Sequence, residues 1–349
     1  MANYPLDTEV HQQLVQLLEQ GHNCALVTIL RASGSVPRQA GTKAIVSEDG
    51  SLWGTIGGGL LEAKAQQVAM ECLQSKQIAV FDFSFSGASA QNNEPICGGN
   101  LRVFVDPNVK QNFVIYEQVA RSLKEHQRGT LLTTLQKSTS QVNVTWLLDA
   151  TEEINNFPFD ESVKQALNKA LDSSSPIYFV TSDGQSEGLA EPLQPTPLLL
   201  IAGGGHVGQA LSWQARLVGF RIAVYDDRPE FCQPSLYPPG TLLRSNDVRD
   251  FFDEFPRTPD TYIALVGRNH QVDMRALKLC LHSSAAYIGV MGSQRKIALM
   301  RREFKDYKEQ LDRLYAPIGL DIKAQTVPEI AASIVGQLIA VRRGAKISS

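Results

Sequence analysis

The apolar run from Leu198 to Ala202, followed at once by Gly203, Gly204, Gly205, His206, Val207 and Gly208, constrains this 349-residue chain more than any other feature. A buried strand that meets three glycines and then opens an amphipathic helix has few ways to fold, and the GxGxxG spacing (Gly203, Gly205, Gly208) gives the turn a chemistry as well as a shape. Glycines let a backbone approach a diphosphate, and the free N–H groups at the helix start favour its negative charge. From there the pattern alternates strand, turn and helix. Apolar runs at Leu198–Ala202, Arg221–Tyr225, Thr241–Arg244, Tyr262–Val266 and Ala286–Val290 read as buried strands, mostly separated by helical segments. This predicts a doubly wound parallel sheet covered on both faces.

Asp226 closes the second of these runs, where a carboxylate accepts hydrogen bonds from ribose hydroxyls; Arg228 beside it leaves a 2′-phosphate open. The expected nucleotide contacts are therefore Gly203, Gly205, His206, Gly208 and Asp226. Glycines that merely allow close strand–helix packing are the competing explanation, and a fold of this kind does not by itself imply hydride transfer. Further on, Gly292-Ser293-Gln294-Arg295-Lys296 reads as another strand-to-helix turn. Ser293 is its N-cap, and two cations oppose the helix dipole, a conflict that a bound anion would relieve. His270 and Asp273 fall at the carboxyl edge of the predicted sheet but are too few to hold a metal unless His206 joins them.

The N-terminal half is more mixed. It predicts a helix near 8–20 with Val10, Leu14, Leu17 and Leu18 on one face, a strand Cys24–Leu30, a hairpin about Asp49-Gly50 and a helix from Leu60 to Leu73. Strands then flank Cys97-Gly98-Gly99. A helix near 113–127, strands near 130–136 and 142–148, a helix near 160–171 and a strand at 176–181 complete it. The expected organisation is an N-terminal domain over 1–182, a surface connector over 183–197, rich in proline and glycine, and the doubly wound domain over 198–349.

Composition removes several classes of function. The net charge of -3 and a pI near 6.1 lack the basic footprint of a nucleic-acid binder. No apolar stretch approaches the ~20 residues that span a bilayer, and the first residues carry no secretory signal, so neither nucleic acid nor membrane is an expected partner. The five cysteines, Cys24, Cys72, Cys97, Cys232 and Cys280, are scattered without a CxxC pair, which fits a reducing cytoplasm.

A second constellation is less generic than the first. Gly57-Gly58-Gly59 at a helix start forms an anion cradle, Arg38 in the preceding loop offers a planar fork to a phosphate, and Glu62 lies in the first helical turn. Cys97 is followed by Gly98 and Gly99, which leave its sulfur accessible and surround it with N–H groups. Together these residues suit a ligand that is anionic and sulfur-avid. Each also has a plainer explanation, as an inert core cysteine or an ordinary glycine turn.

These residues resemble the XdhC/CoxI family, accessory proteins that mature molybdenum hydroxylases such as xanthine dehydrogenase. The resemblance runs through Gly34-Ser35-Val36-Pro37-Arg38 with Gly41, Gly54 to Glu62, Cys97-Gly98-Gly99 and Glu191-Pro192-Leu193. It continues through Gly203 to Gly208, Ala286 to Gly289 with Gly292-Ser293, and Ala316 to Ile322. It departs from the family pattern at Asn269, and 106–182 carries no motif. It implies an α/β chain with an N-terminal XdhC-like α+β domain and a C-terminal Rossmann-like domain. It implies too a factor that binds molybdenum cofactor (molybdopterin, as mono- or dinucleotide), supports its sulfuration with a cysteine desulfurase and hands it to the hydroxylase apoenzyme. On this reading Cys97 is the sulfur or molybdenum contact. Arg38, Gly57, Gly58, Gly59, Gly98 and Gly99 hold the pterin phosphate, Glu62 orients pterin donors, and Ser293 belongs to the second domain's ligand edge. NAD or another nucleotide is the further cofactor expected there, and a homodimer is the expected assembly. An NAD-dependent oxidoreductase and a nucleotide-sensing regulator are the alternatives.

Overall fold

The computed structural model describes residues 7–85, 98–148, 151–152, 154, 158–307, 311 and 314–345. The chain divides into two compact units, Met1–Pro195 and Thr196–Ser349.

The first unit opens with α1 (Asp7–Glu19), β1 (Cys24–Gly34), β2 (Lys43–Ser47), β3 (Leu52–Gly54), α2 (Gly59–Ser75), β4 (Ala79–Ser84) and β5 (Gly99–Asp106). The strands form an antiparallel sheet in the order β3-β2-β1-β5-β4. From Cys24 to Leu30 every residue of β1 is buried, because the strand is covered on both faces. Cys24 and Leu26 pack with Val10, Leu14 and Leu18 of α1. The alternate residues Ala25, Val27 and Ile29 pack with Leu61, Ala65 and Ala69 of α2. Burying each large aliphatic side chain contributes about 1.5–3 kcal/mol, so this one strand supplies much of the unit's core. The turn at Asp49-Gly50 works as its sequence requires, with Gly50 at φ 83°.

The unit continues with α3 (Phe113–Lys124), β6 (Gly129–Gln136), β7 (Gln141–Leu147), α4 (Glu161–Ser173), β8 (Ile177–Val180) and β9 (Ser186–Leu193). Their four strands make a second antiparallel sheet in the order β7-β6-β9-β8. Here the structure corrects the sequence reading. The stretch 183–197, expected as a surface connector, contains the interior strand β9, largely buried and paired on both sides. Its glycine and proline serve packing rather than a loop. A Cβ on Gly188 would lie 2.1 Å from the Thr133 carbonyl oxygen and 2.6 Å from the Phe179 ring. Pro192 lies beyond the last β8 partner, where Ala190 pairs with Ile177, so its missing N–H breaks no ladder on that side.

The second unit is a six-stranded parallel sheet in the order β12-β11-β10-β13-β14-β15. Its elements are β10 (Leu198–Ala202), α5 (His206–Leu217), β11 (Arg221–Tyr225), β12 (Leu242–Arg244), α6 (Val248–Glu254), β13 (Thr261–Leu265), α7 (His270–Cys280), β14 (Tyr287–Val290), α8 (Gln294–Glu303), β15 (Leu314–Tyr315) and α9 (Val327–Arg342). Leu198, Leu200 and Ala202 face α6, α7 and α8; Leu199 and Ile201 face α5 and α9. This is the doubly wound arrangement that the alternation predicts. Two details differ from it. The outer strand β12 is half-buried rather than buried, since it has one neighbour, and β15 is too short to register as an apolar run. Among the described residues no helix is long and apolar enough to cross a membrane.

Candidate functional site

In the first unit, three segments far apart in sequence meet at the start of α2. Gly34 approaches the second glycine pair so closely that a Cβ there would lie 2.6 Å from the Gly98 carbonyl oxygen. A Cβ on Gly99 would fall 2.5 Å from Val36 Cγ1 and 2.6 Å from the Ser35 carbonyl oxygen. One on Gly57 would fall 2.8 Å from Pro37 Cγ and 3.6 Å from Arg38 Cγ. The loop bearing Arg38, the glycine triplet and Gly98-Gly99 are therefore neighbours. Cys97, the expected sulfur contact, lies outside the described residues.

The glycines divide by role. Gly57, Gly34 and Gly99 are required by close packing, whereas Gly58, Gly59 and Gly98 have no atom within 4 Å of an added Cβ and face open space. Gly58 and Gly59 also take φ 81° and 59°, which a side chain would strain. Gly58 caps α2 without a side-chain hydrogen bond, so the helix presents uncapped N–H groups and the positive end of its dipole next to exposed Arg38. Glu62 turns back onto its own loop. Its Oε1 accepts hydrogen bonds from the Ile56 N–H at 3.1 Å and from the Thr55 hydroxyl, and the Gly57 N–H donates to Thr55 Oγ1 at 3.2 Å. One carboxylate oxygen thus pins the turn that shapes the cradle.

In the second unit the glycine loop sits where the strand order reverses, between the carboxyl ends of β10 and β13, the usual ligand position of such sheets. A Cβ on Gly203, at φ 124°, would lie 2.6 Å from the Gly267 nitrogen, and one on Gly208 would lie 1.9 Å from the Gly203 carbonyl oxygen. These two glycines serve packing. Gly205 is different: nothing lies within 4 Å of its Cβ position, and it begins α5 without a side-chain cap. Exposed His206 follows it.

Asp226 is almost fully buried and already engaged. Its Oδ2 accepts from the Gly204 N–H at 2.8 Å and from Arg228 Nη2 at 3.0 Å; its Oδ1 accepts from Arg228 Nε at 2.8 Å and from the Arg228 N–H at 3.1 Å. Burial alone would raise this carboxyl, but the Arg228 and Gly204 donors outweigh it and hold the group below the usual carboxylate range. The Gly204 carbonyl accepts from Gln209 Nε2 at 2.9 Å, and the Tyr237 hydroxyl lies between this carbonyl at 3.0 Å and that of Phe231 at 2.6 Å, so both the N–H and the C=O of Gly204 are gripped. Arg228 lies 3.7 Å over the Phe231 ring. Nothing in the sequence pattern singles out Phe231 or Tyr237, because an aromatic residue after a strand is ordinary.

Ser293 caps α8 as expected, accepting from the Lys296 N–H at 3.3 Å. The relief of the basic first turn comes partly from the chain itself: Lys296 Nζ donates to Asp273 Oδ2 at 2.6 Å and to the Met291 carbonyl at 3.0 Å. Burial pushes the Asp273 carboxyl up despite that partner. Asp273 thus serves Lys296, and among the described residues no group of three or more His, Cys, Asp or Glu side chains could hold a metal. A pairing across two strand-to-helix turns is not legible in spacing.

Two family models account for well over half of the chain. Residues 17–84 match the XdhC and CoxI family, and residues 199–338 match the XdhC Rossmann domain. The chain belongs to the XdhC and CoxI family. The first match takes in Arg38, Gly57 to Gly59 and Glu62, and the second takes in Gly203 to Ser293; Gly98 and Gly99 fall outside both. Among curated relatives, the Escherichia coli protein named Uncharacterized protein YqeB is 25% identical over 96% of this chain. The chain spans about half of that relative's length, 47%. A Bacillus subtilis protein, named as a probable xanthine dehydrogenase subunit, is 24% identical over 95% of this chain and 97% of its own. The Escherichia coli Molybdenum cofactor insertion chaperone PaoD is 20% identical over 94% of this chain and 86% of its own. A crystal structure of a xanthine dehydrogenase from Bacillus halodurans shares the fold of this XdhC-family chain, with a TM-score of 0.77 at 23% identity over 98% of this chain and 97% of that one.

Proposed function

We propose that this XdhC-family chain is a maturation factor that carries molybdenum cofactor to a molybdenum hydroxylase of the xanthine dehydrogenase type. The observation that carries the reading is the cradle at the start of α2. There, an uncapped 17-residue helix, two glycines open to space and the Arg38 loop converge beside Gly98. Backbone N–H groups and a guanidinium suit a terminal phosphate, the one strongly anionic group on a pterin cofactor. Glu62 acts by holding the turn, with its remaining oxygen turned to pterin donors. Cys97, next to Gly98 in the chain, supplies a soft sulfur to a thiophilic metal or relays sulfur from a cysteine desulfurase. Relatives named as a cofactor insertion chaperone and as a probable part of a xanthine dehydrogenase support the same role.

The second unit binds a nucleotide, either NAD or the nucleotide half of a dinucleotide cofactor, with its phosphates on the Gly205 N-terminus of α5. Asp226 and Arg228 meet the ribose as a coupled pair, because the carboxylate cannot turn to a ligand without releasing guanidinium or Gly204 bonds. The test is anaerobic purification from cells that make the cofactor, with bound pterin, molybdenum and nucleotide measured. Wild type should carry near-stoichiometric pterin, and Cys97→Ala or Arg38→Ala should lose most of it. Wild type empty of pterin, under conditions where a known carrier stays loaded, would refute the carrier role. Retained nucleotide alone would favour a nucleotide-sensing regulator.

A further inference from the structure

The loop that carries Arg38 hangs between two anchors, and the second of them is a buried ion pair. At its start, Gly34 pairs with Gly99 in the β1–β5 ladder. At its end, the Gly41 N–H donates to the Ile29 carbonyl at 2.8 Å, and the Gly41 carbonyl accepts from Lys43 Nζ at 3.1 Å. Lys43, on β2, also donates to Glu191, on β9 of the other sheet; their side chains are only 4% and 7% exposed. A Cβ on Gly41 would meet Pro176 Cγ at 2.8 Å and Glu191 Oε1 at 3.3 Å, so the loop's end is seated against the pair and against the segment leading into β8. His11, fully buried, stands beside Lys43 with no hydrogen-bond partner for either ring nitrogen among the described residues, and so leaves the ammonium to Gly41 and Glu191.

A buried ion pair is a poor device for stability, since desolvation consumes most of the Coulombic gain and well-packed apolar residues do as well. It is a good device for holding a backbone carbonyl in one place. We propose that Lys43 and Glu191 are positioning residues that fix the Gly34–Gly41 loop, and with it Arg38, in the posture that grips the cofactor's phosphate; this rests on the carrier reading above. Gly41 and Glu191 thereby share a mechanical task, one as the held end of the loop and the other as the partner of the lysine that holds it.

Removing one partner strands a buried charge, so the deciding variant replaces both, Lys43→Met with Glu191→Met in the full chain. Amide hydrogen exchange over 34–42, melting temperature and pterin retained after anaerobic purification are compared with wild type and Arg38→Ala. The expected result is a melting temperature within a few degrees of wild type, exchange over 34–42 at least tenfold faster, and pterin retention reduced to the Arg38→Ala level. Unchanged exchange over 34–42 in the folded double variant overturns the proposal. So does faster exchange with full retention while Arg38→Ala loses its pterin. If wild type and Arg38→Ala retain the same pterin, or none, the carrier reading of the loop fails instead, and the exchange measurement still decides whether the pair holds the loop.

Discussion

Gly98 and Gly99 are adjacent and do different work, which makes single substitutions informative. Gly99→Ala forces a methyl into the Val36 side chain and into the Ser33 and Ser35 carbonyls, backbone atoms that cannot swing away, and should destabilise the first unit by about 2–4 kcal/mol in denaturant titration. Gly98→Ala meets nothing and should stay within about 0.5 kcal/mol of wild type; any loss of bound pterin in that variant reports on ligand contact rather than folding. From the sequence the two glycines are indistinguishable, because both follow Cys97 and nothing in their order says which one lies under Val36.

Two buried groups give the first unit opposing pH responses. Burial, with Lys43 nearby, drives His11 down to about 3 from 6.5. The unfolded chain therefore takes up a proton that the folded one refuses, and stability present above pH 6.5 is lost as pH falls. Burial pushes the Asp106 carboxyl up to about 6, against one opposing hydrogen bond from the Asn108 N–H. Its contribution is therefore full below about pH 4 and lost as pH rises through 6. His11→Phe should remove most of the acid-side loss between pH 6.5 and 4 and raise stability by about 1 kcal/mol at pH 7, since two ring nitrogens without a hydrogen-bond partner among the described residues go with it. Asp106→Asn should remove the opposing slope between pH 4 and 6. Urea titrations across that range measure both; a His11→Phe profile parallel to wild type would show that His11 is not the titrating group.

At the scale of elements, the β11 exit governs the glycine loop. Asp226→Asn leaves Arg228 without its carboxylate and weakens the grip on Gly204. Charge-assisted hydrogen bonds of this kind contribute about 1.5–3 kcal/mol, so the second unit should lose stability on that scale. Nucleotide affinity should fall further than Gly205→Ala alone reduces it, as read by calorimetry with NAD. Helices and strands of this chain are legible where apolar periodicity is strong: α1, β1, β10 and β13 appear close to where their patterns put them. The stretch 183–197 is not, because Gly188 and Pro192 carry the composition of a loop while answering to Phe179 and to the end of β8. Composition reports conformational freedom and is silent about what lies across a strand.

At the scale of the whole molecule, each unit encloses its own core, with the division between Pro195 and Thr196. Residues 196–349 expressed alone should unfold cooperatively, as should residues 1–195; a fragment ending at 182 should not, because it lacks β9, one of the two interior strands of the second sheet. Circular dichroism melts of the three fragments test this. The doubly wound sheet and the place of its glycine loop are readable from the chain because parallel strands announce themselves as apolar runs; that Gly203 and Gly208 serve packing while Gly205 faces open space is not. The pairings Lys43–Glu191 and Lys296–Asp273 are not, because each joins residues whose proximity exists only after the sheets assemble.

The parallel sheet of the second unit ends on one side with three residues of β12 and on the other with two residues of β15. A strand edge that short offers scarcely any open ladder on which another chain could add itself. A carrier of the kind proposed would stand without its partner between one delivery and the next. Blunt margins of this kind leave this sheet little edge from which copies of it could grow into fibres.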